Sequence, residues 1–185
     1  METACVGLFG TCEKSTWRAD FIAAFTKAVP PIKFFNPQVP ADKWNDLCIP
    51  VESHHLANDA VIVFPVLSES YAIGSLAEIG FSIIQASRFD QRRDVVVMIA
   101  PDVDQALKDS NPELAKASQR ARRLVRGHLE KLQLQNVYIV DNMDDLLGLS
   151  ITLYQQAIKR DFNYPHTAHA HAHAVQTRKT VGENN

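Results

Sequence analysis

The chain has 185 residues, of which 46% are hydrophobic and 22% are charged, a composition typical of one globular domain. Its formal net charge of -2 gives no electrostatic reason to expect binding to nucleic acid or to a membrane surface. The three cysteines form no CxxC pair, so we expect no disulfide framework. No signal peptide is evident, and no apolar run approaches the roughly 20 residues that span a bilayer. We therefore expect a cytoplasmic protein.

Five short apolar runs alternate along the chain with segments of helical periodicity. The runs are apolar throughout, which is typical of strands covered on both faces. The predicted strands are Ala4–Phe9, Ile32–Phe35, Ala60–Val66, Val95–Ala100 and Val137–Val140. The predicted helices are Thr16–Val29, Trp44–Asn58, Ser75–Arg88, Pro112–Leu132 and Asp144–Asp161. This alternation predicts an α/β fold, a flavodoxin-like five-stranded parallel sheet with helices on both faces and an expected strand order of 2-1-3-4-5.

The domain is expected to span residues 1–162. Residues 163–185 contain few large apolar side chains and are interpreted as a flexible, His-rich tail. Four histidines of this tail offer a place for adventitious binding of a transition metal, namely His166, His169, His171 and His173. We predict no dedicated metal site and no cofactor.

Glu78 is the main candidate for chemistry, because ligands of parallel α/β sheets bind outside the carboxyl ends of the strands. It follows the third predicted strand and lies in the first turn of a predicted helix. Two interpretations are open. In the first, Ser75 and Glu78 form the capping box S-x-x-E. In the second, the helix N-terminus keeps the carboxylate ionised, and it faces the crevice and attacks an anomeric carbon.

Four segments around Glu78 resemble the nucleoside 2-deoxyribosyltransferases, in particular the divergent deoxyribosyltransferase-like branch of that family. They occur in family order and are GLFGTCEKSTWR (Gly7–Arg18), FFNPQVPADKW (Phe34–Trp44), NDAVIVFPV (Asn58–Val66) and SYAIGSLAEIGFSI (Ser70–Ile83). The resemblance implies a homo-oligomeric enzyme of nucleotide salvage that exchanges the base of a 2′-deoxynucleoside for a free nucleobase. Neither nucleic acid nor a membrane is implied as a partner.

The resemblance also implies roles for individual residues. Glu78 would attack C1′ and expel the base, as in a retaining glycosidase. Glu52 lies nearest to the family's acidic residue that acts on the leaving base, and Asp46 is the fallback. Gly10 and Thr11 would bring backbone close to the base or the sugar.

Five further substrate contacts are implied, and three of them compete with a structural alternative. Trp17 either walls the pocket or belongs to the core. Asn36 contacts the base or only forms an Asn-Pro turn. Asp59 contributes to the site or caps the chain locally. Ser70 and Tyr71 would contact the sugar hydroxyls or the nucleophile.

Two positions differ from the family pattern. The first strand reads GLFG, without the Tyr that hydrogen-bonds the nucleophile, and Ala72 stands where a sugar-binding acidic residue is common. Two alternatives therefore stay open: an N-glycoside hydrolase of nucleoside 5′-monophosphates, and a nucleoside- or nucleotide-binding module without turnover. The hydrolase needs a phosphate pocket, for which the candidates are Ser15, Thr16, Arg18, Ser68 and Ser70.

Overall fold

Five parallel strands form the central sheet in the computed structural model, which describes residues 4–12, 15–39, 43, 45–88 and 93–163. The strands are β1 (Cys5–Leu8), β2 (Lys33–Phe35), β3 (Val61–Val66), β4 (Asp94–Ile99) and β5 (Val137–Val140). Their order is β2-β1-β3-β4-β5, and every neighbouring pair is parallel. The predicted flavodoxin-like sheet and its expected strand order are therefore confirmed.

The connections between the strands are helical. The helices are α1 (Trp17–Ala28), α2 (Cys48–Asn58), α3 (Ile73–Arg88), α4 (Gln105–Ser110), α5 (Pro112–Leu132) and α6 (Met143–Asn163). Among the described residues, none of these helices combines the length and the apolar character needed to cross a membrane. The predicted helix start at Trp44 and the tail from residue 164 onward lie outside the described residues.

Local chemistry explains where α2 and α5 begin. Pro50 lies in the first turn of α2, where its missing N–H removes no helical hydrogen bond. Asn111 ends the short helix α4, which the sequence did not predict, and caps α5 by accepting a hydrogen bond from the N–H of Leu114 at 3.1 Å. Pro112 then occupies the first position of α5, where proline is favoured.

Helices cover both faces of the sheet, as predicted. One core unites β1, β3 and β4 with α1 and α6, through side chains such as Phe21, Phe25 and Tyr154. The other core lies beneath α2, α3 and α5 and includes Ile79 and Leu129. Because both faces are covered, all six residues of β3 are buried.

Arg122 of α5 holds the loops that follow β3 and β4. Its guanidinium group is fully buried and donates to the carbonyl oxygens of Leu67 at 2.9 Å, Ser70 at 2.6 Å and Ala100 at 3.0 Å. A longer bond of 3.3 Å reaches the carbonyl of Val66. A buried cation is stable only when such acceptors surround it, so this one side chain ties two strand ends to α5.

Replacing Arg122 by methionine should destabilise the protein strongly, because the carbonyl oxygens at the ends of β3 and β4 lose their donors while they stay buried. We expect the free energy of unfolding, measured by urea denaturation, to fall by about 3 kcal/mol or more. Arg123→Met is the matched control, since Arg123 is the next residue and is exposed; it should change stability by less than about 0.5 kcal/mol. Equal unfolding midpoints for the two variants would contradict the role of Arg122.

Candidate functional site

The loop after β1 turns sharply at Gly10. This residue has φ +93°, a backbone conformation that side chains disfavour, and a Cβ atom there would lie 2.6 Å from the carbonyl oxygen of Pro65. The next residue donates its N–H to the same carbonyl at 2.9 Å. Only glycine therefore lets this loop pack against the end of β3, which puts Gly10 and Thr11 at the carboxyl edge of the sheet.

The buried side chain of Arg18 donates hydrogen bonds to the same loop. Its side chain is 2% exposed and donates from Nε to the carbonyl of Leu8 at 2.9 Å and from Nη1 to the carbonyl of Thr11 at 2.7 Å. The Nη2 group approaches the carbonyl of Gly10 at 3.4 Å and Cys12 Sγ at 3.3 Å. These donors bind groups of the protein itself, so Arg18 stabilises the loop and is not directed at a bound phosphate.

Thr11 and Trp17 support the loop as well. The Thr11 hydroxyl accepts a hydrogen bond from the N–H of Leu67 at 2.8 Å, which joins the loops after β1 and β3. The Trp17 indole N–H donates to the carbonyl of Thr11 at 2.8 Å, and its ring lies in the core, edge-on to Phe21. Of the two interpretations of Trp17, the structure favours the core residue.

The loop after β3 is held from two sides. Ser70 is buried, and its hydroxyl accepts a hydrogen bond from the N–H of Ala72 at 3.1 Å. The Tyr71 hydroxyl donates to the carbonyl of Leu107 at 2.8 Å, while its own carbonyl accepts from Ser118 Oγ at 2.8 Å. Both predicted sugar contacts thus have structural partners within the chain, and a contact with substrate stays a prediction for each.

Glu78 lies in the second turn of α3 rather than the first. The helix begins at Ile73, because the chain turns at Ala72, which has φ +54°, and the first helical bond runs from the N–H of Leu76 to the carbonyl of Ala72. Ser75 is therefore inside the helix instead of at its N-cap. The interpretation of Ser75 and Glu78 as a capping box is wrong, since a capping box needs its serine at the N-cap.

The negative charge of Glu52 acts on Glu78, and these two residues are named here the carboxylate pair. Burial raises the pKa of Glu78, the negative charge of Glu52 raises that pKa further, and the positive charge of Arg18 opposes both. Both side chains are half-buried. The helix N-terminus was expected to keep Glu78 ionised; burial and a second carboxylate favour its protonated form instead.

A pocket of about 240 Å³ opens between the loop after β2 and the first turns of α2. Its lining is mostly apolar, with Phe35 and Val51 among the walls, and its polar groups include Asn36 and Glu52. Among the described residues, the lining includes one member of the carboxylate pair, and Glu78 is not part of it. The pocket therefore reaches the carboxylate pair at Glu52.

Asn36 forms the predicted turn, and its contact with a base stays a prediction. Its side-chain oxygen accepts a hydrogen bond from the N–H of Gln38 at 3.0 Å, which is the expected turn, and the residue also lines the pocket. Asp59 is placed differently, at the amino end of β3, where its carboxylate lies 2.8 Å from His55 Nδ1. Because parallel strands all run the same way, Asp59 stands at the opposite edge of the sheet from Gly10, Thr11 and Ser70.

Sequence reasoning missed the structural roles of Arg18 and Arg122, although a signal was present. Arg18 precedes Phe21 and Phe25 at helical spacing, on the apolar face of α1. Arg122 shares the buried face of α5 with Ser118 and Leu129. A cation on the apolar stripe of a helix must find acceptors inside the protein, so this pattern indicates a buried, hydrogen-bonded arginine.

The fold also occurs in another solved structure. The crystal structure of a conserved protein from Enterococcus faecalis V583 is similar to this chain, with a TM-score of 0.50 and 16% sequence identity over 82% of this chain and 98% of that one. At this identity the likeness concerns the fold alone. No protein-family model and no curated protein matches the sequence.

The raised pKa of Glu78 predicts how the stability of the protein depends on pH. Between the ordinary pKa of 4.5 and the raised native value, the folded chain holds a proton that the unfolded chain has lost. The free energy of unfolding therefore falls as the pH rises through this window, and above it the ionised Glu78 is a cost to the fold. Glu78→Gln removes that cost.

We expect Glu78→Gln to melt a few degrees above the parent protein at about pH 7.5, where the parent carries the ionised group. The gain should vanish below about pH 4, where Glu78 is protonated in the folded and unfolded chains alike. Thermal unfolding followed by circular dichroism measures both. Glu69→Gln, at an exposed position, is the control and should show no comparable gain. A lower melting temperature for Glu78→Gln at the higher pH would contradict the assignment.

Proposed function

We propose that the protein is a nucleoside 2-deoxyribosyltransferase, which exchanges the base of a 2′-deoxynucleoside through a covalent deoxyribosyl-Glu78 intermediate. The observation that carries the proposal is the carboxylate pair: both side chains are half-buried, the charge of Glu52 raises the pKa of Glu78, and both charges act on Cys12 in the loop after β1. Two carboxyl groups in different surroundings are what a retaining transfer at an anomeric carbon requires. The family resemblance of the four segments around Glu78 supports the same reaction.

The two carboxyl groups have different roles in the first step. The proposed first step uses Glu78 as the carboxylate, with Arg18 opposing the burial and the Glu52 charge that raise its pKa, and uses Glu52 as the proton donor. An oxygen of Glu78 attacks C1′, the bond from C1′ to the base nitrogen breaks, and its electron pair goes to the base. Glu52 delivers its proton to the departing base. The products are a deoxyribosyl ester of Glu78 and a free nucleobase.

The second step reverses the first with another base. A nitrogen of the incoming base attacks C1′, the ester bond to Glu78 breaks, and Glu52 takes up the proton that the base loses. Arg18 contributes a fixed positive charge that stabilises the carboxylate form of Glu78. A sugar without an electron-withdrawing 2′-hydroxyl favours the oxocarbenium-like transition state, which is the chemical reason to propose 2′-deoxynucleosides.

The pocket beside Glu52 suits a nucleobase. It offers apolar walls that include Phe35, together with the amide of Asn36. A flat apolar ring with polar edges binds well between such groups. Base atoms held here would lie next to Glu52, which is the residue proposed to exchange a proton with them.

Assembly into a homo-oligomer is part of the proposal. Large apolar side chains around the start of α2 are exposed, with Leu47 at 81% and Val51 at 51%. Val51 also lines the pocket, so a second copy seated here would enclose the bound base. Apolar groups exposed together are typical of surfaces that meet a partner.

The transfer reaction is tested by incubating the protein with deoxyinosine or thymidine and a second base, and by detecting new nucleosides by chromatography. Glu78→Gln should reduce the rate by on the order of 10³-fold or more, because no nucleophile remains. Glu52→Gln should reduce it by about 10²–10⁴-fold, with the larger loss for bases that leave poorly without a proton. Glu69→Gln is the control and should retain activity.

Mass spectrometry adds a direct readout of the covalent step. A nucleoside with fluorine at C2′ should leave its sugar attached to the peptide that contains Glu78, because the fluorine slows release of the ester as well as its formation. Exchange that continues unchanged in Glu78→Gln would rule out the mechanism. Thermal stabilisation by nucleosides without any product would favour the binding module instead.

One observation favours the hydrolase as a second candidate function. Ser15 is buried just before α1, and among the described residues its hydroxyl has no hydrogen-bond partner. A hydroxyl beside a helix N-terminus is a suitable donor to a phosphate. Against this, the Arg18 donors face backbone carbonyls.

A deoxynucleoside 5′-monophosphate incubated without an acceptor base distinguishes the two candidates. If the hydrolase is correct, free base should appear at a rate that added bases do not change. Ser15→Ala should then raise KM for the monophosphate by about tenfold, as expected for one lost hydrogen bond to a charged group, and leave KM for the nucleoside unchanged. An equal effect of Ser15→Ala on both substrates would contradict a phosphate contact.

A further inference from the structure

A cluster of three side chains at the amino edge of the sheet offers ligands for a metal ion. Cys5 of β1, His55 of α2 and Asp59 between α2 and β3 place one sulfur, one ring nitrogen and one carboxylate oxygen within 4.8 Å of one another. Among the residues that the structure describes, this is the one group of three or more His, Cys, Asp or Glu side chains with such convergence. It belongs to the opposite edge of the sheet from Gly10, Thr11 and Ser70.

The Asp59 carboxylate at the centre of this cluster has fewer partners than a buried charge needs. The residue is 4% exposed, and its Oδ1 atom lies 2.8 Å from His55 Nδ1. Its Oδ2 atom has no hydrogen-bond partner among the described residues. A buried acceptor without a donor costs about 1–3 kcal/mol, so a positive ligand at this position would remove a real penalty.

Space for the carboxylate exists because residue 7 is glycine. A Cβ atom on Gly7 would lie 2.8 Å from Asp59 Oδ2 and 2.7 Å from the ring of Phe9. The ring of His55 is also fixed in place, since it stacks on Phe35 with the ring centres 3.7 Å apart and the planes 8° from parallel. The ligand atoms are therefore held before any ion arrives.

The surroundings of the cluster disfavour the ionised forms of Cys5 and Asp59. Burial together with the negative charge of Asp59 raises the Cys5 pKa to about 12. Burial likewise raises the pKa of Asp59, against the effects of His55, Cys5 and Arg93. Sulfur, imidazole nitrogen and carboxylate oxygen together are ligands that zinc accepts in proteins.

We propose that Cys5, His55 and Asp59 form a binding site for one Zn²⁺-class divalent metal ion, with water in the fourth position. Binding forms a bond between the metal and Cys5 Sγ, and the thiol proton leaves to solvent. His55 presents the lone pair of Nδ1 while its ring proton sits on Nε2, and the hydrogen bond to Asp59 is replaced by coordination of the carboxylate. No electron is gained or lost.

The ion would act as a structural tie. Its ligands come from β1, from the end of α2 and from the residue pair that leads into β3, so one ion would join three elements of the fold. Such a metal adds its binding free energy to the stability of the folded chain. The site does not depend on the proposed transfer reaction, and the carboxylate pair does not take part in it.

The site is tested in the full-length chain with His166, His169, His171 and His173 replaced by alanine, so that tail histidines do not bind the probe. Co²⁺ added to this protein should bind in a 1:1 ratio and produce the thiolate-to-metal charge-transfer absorption of a cysteine ligand. Zn²⁺ should displace the Co²⁺ and raise the melting temperature, and a chelator should reverse the rise. Elemental analysis after dialysis against Zn²⁺ should give one ion per chain.

Variants then identify the ligands. Cys5→Ser should abolish the charge-transfer band. His55→Gln should weaken Co²⁺ binding by more than the roughly 10–100-fold loss that is typical when a residue hydrogen-bonded to a metal ligand is replaced. The matched controls are Cys48→Ser and His54→Gln, which change a cysteine and a histidine outside the cluster and should bind as the parent does. If Cys5→Ser fails to fold, His55→Gln decides, because His55 is the most exposed of the three. Absence of 1:1 binding in the parent, or unchanged binding in His55→Gln, would overturn the proposal.

Discussion

Two buried guanidinium groups hold the carboxyl edge of the sheet together. Arg18 binds the carbonyls of the loop after β1, and Arg122 binds those at the ends of β3 and β4. Neither cation has a carboxylate among its described hydrogen-bond partners; carbonyl dipoles take that role. Moving either loop away would leave a buried charge with too few acceptors, which costs several kcal/mol. The site loops are therefore constrained from inside the protein.

The fixed position of Arg18 also affects the pKa of Glu78. Arg18 lies close enough to lower the pKa of Glu78, yet its described donors point at backbone carbonyls, so it acts through space without pairing directly. Burial and Glu52 act in the opposite direction and prevail. A carboxyl group placed where ionisation is disfavoured lowers stability, and such arrangements are typical of functional sites.

Helix α2 connects the two edges of the sheet. Its first half carries Glu52 beside the pocket, and its last turn carries His55 beside Asp59. The six residues of β3 separate Asp59 from the loop that contains Ser70, a length of roughly 20 Å at about 3.3 Å per residue. The carboxyl edge therefore carries the carboxylate pair and the open pocket. The amino edge carries the cluster of Cys5, His55 and Asp59, in which Asp59 Oδ2 has no described hydrogen-bond partner. The packed core lies between the two edges.

Local patterns in the sequence were sufficient for most of the fold. Apolar runs predicted all five strands within one residue at each end, and the bounds of α5 and β5 were predicted without error, because Pro112 and the buried strand pattern are local signals. The start of α3 was wrong by two residues. That boundary depends on the turn at Ala72, which Ser70 and Arg122 support from within the fold.

The site was predictable only in part. Glu78 could be named from the chain because it follows a recognisable strand, whereas Glu52 and Asn36 were implied by the family resemblance. The sequence by itself determined the layered α/β fold and the loops where a ligand site would lie, since hydrophobic periodicity depends on residues close together in the chain. Only the tertiary structure decided which carbonyl oxygens Arg18 and Arg122 bind and that Cys5 lies close to His55. The physical reason is that these contacts join residues up to 56 positions apart, and their energies exist only after the sheet has formed.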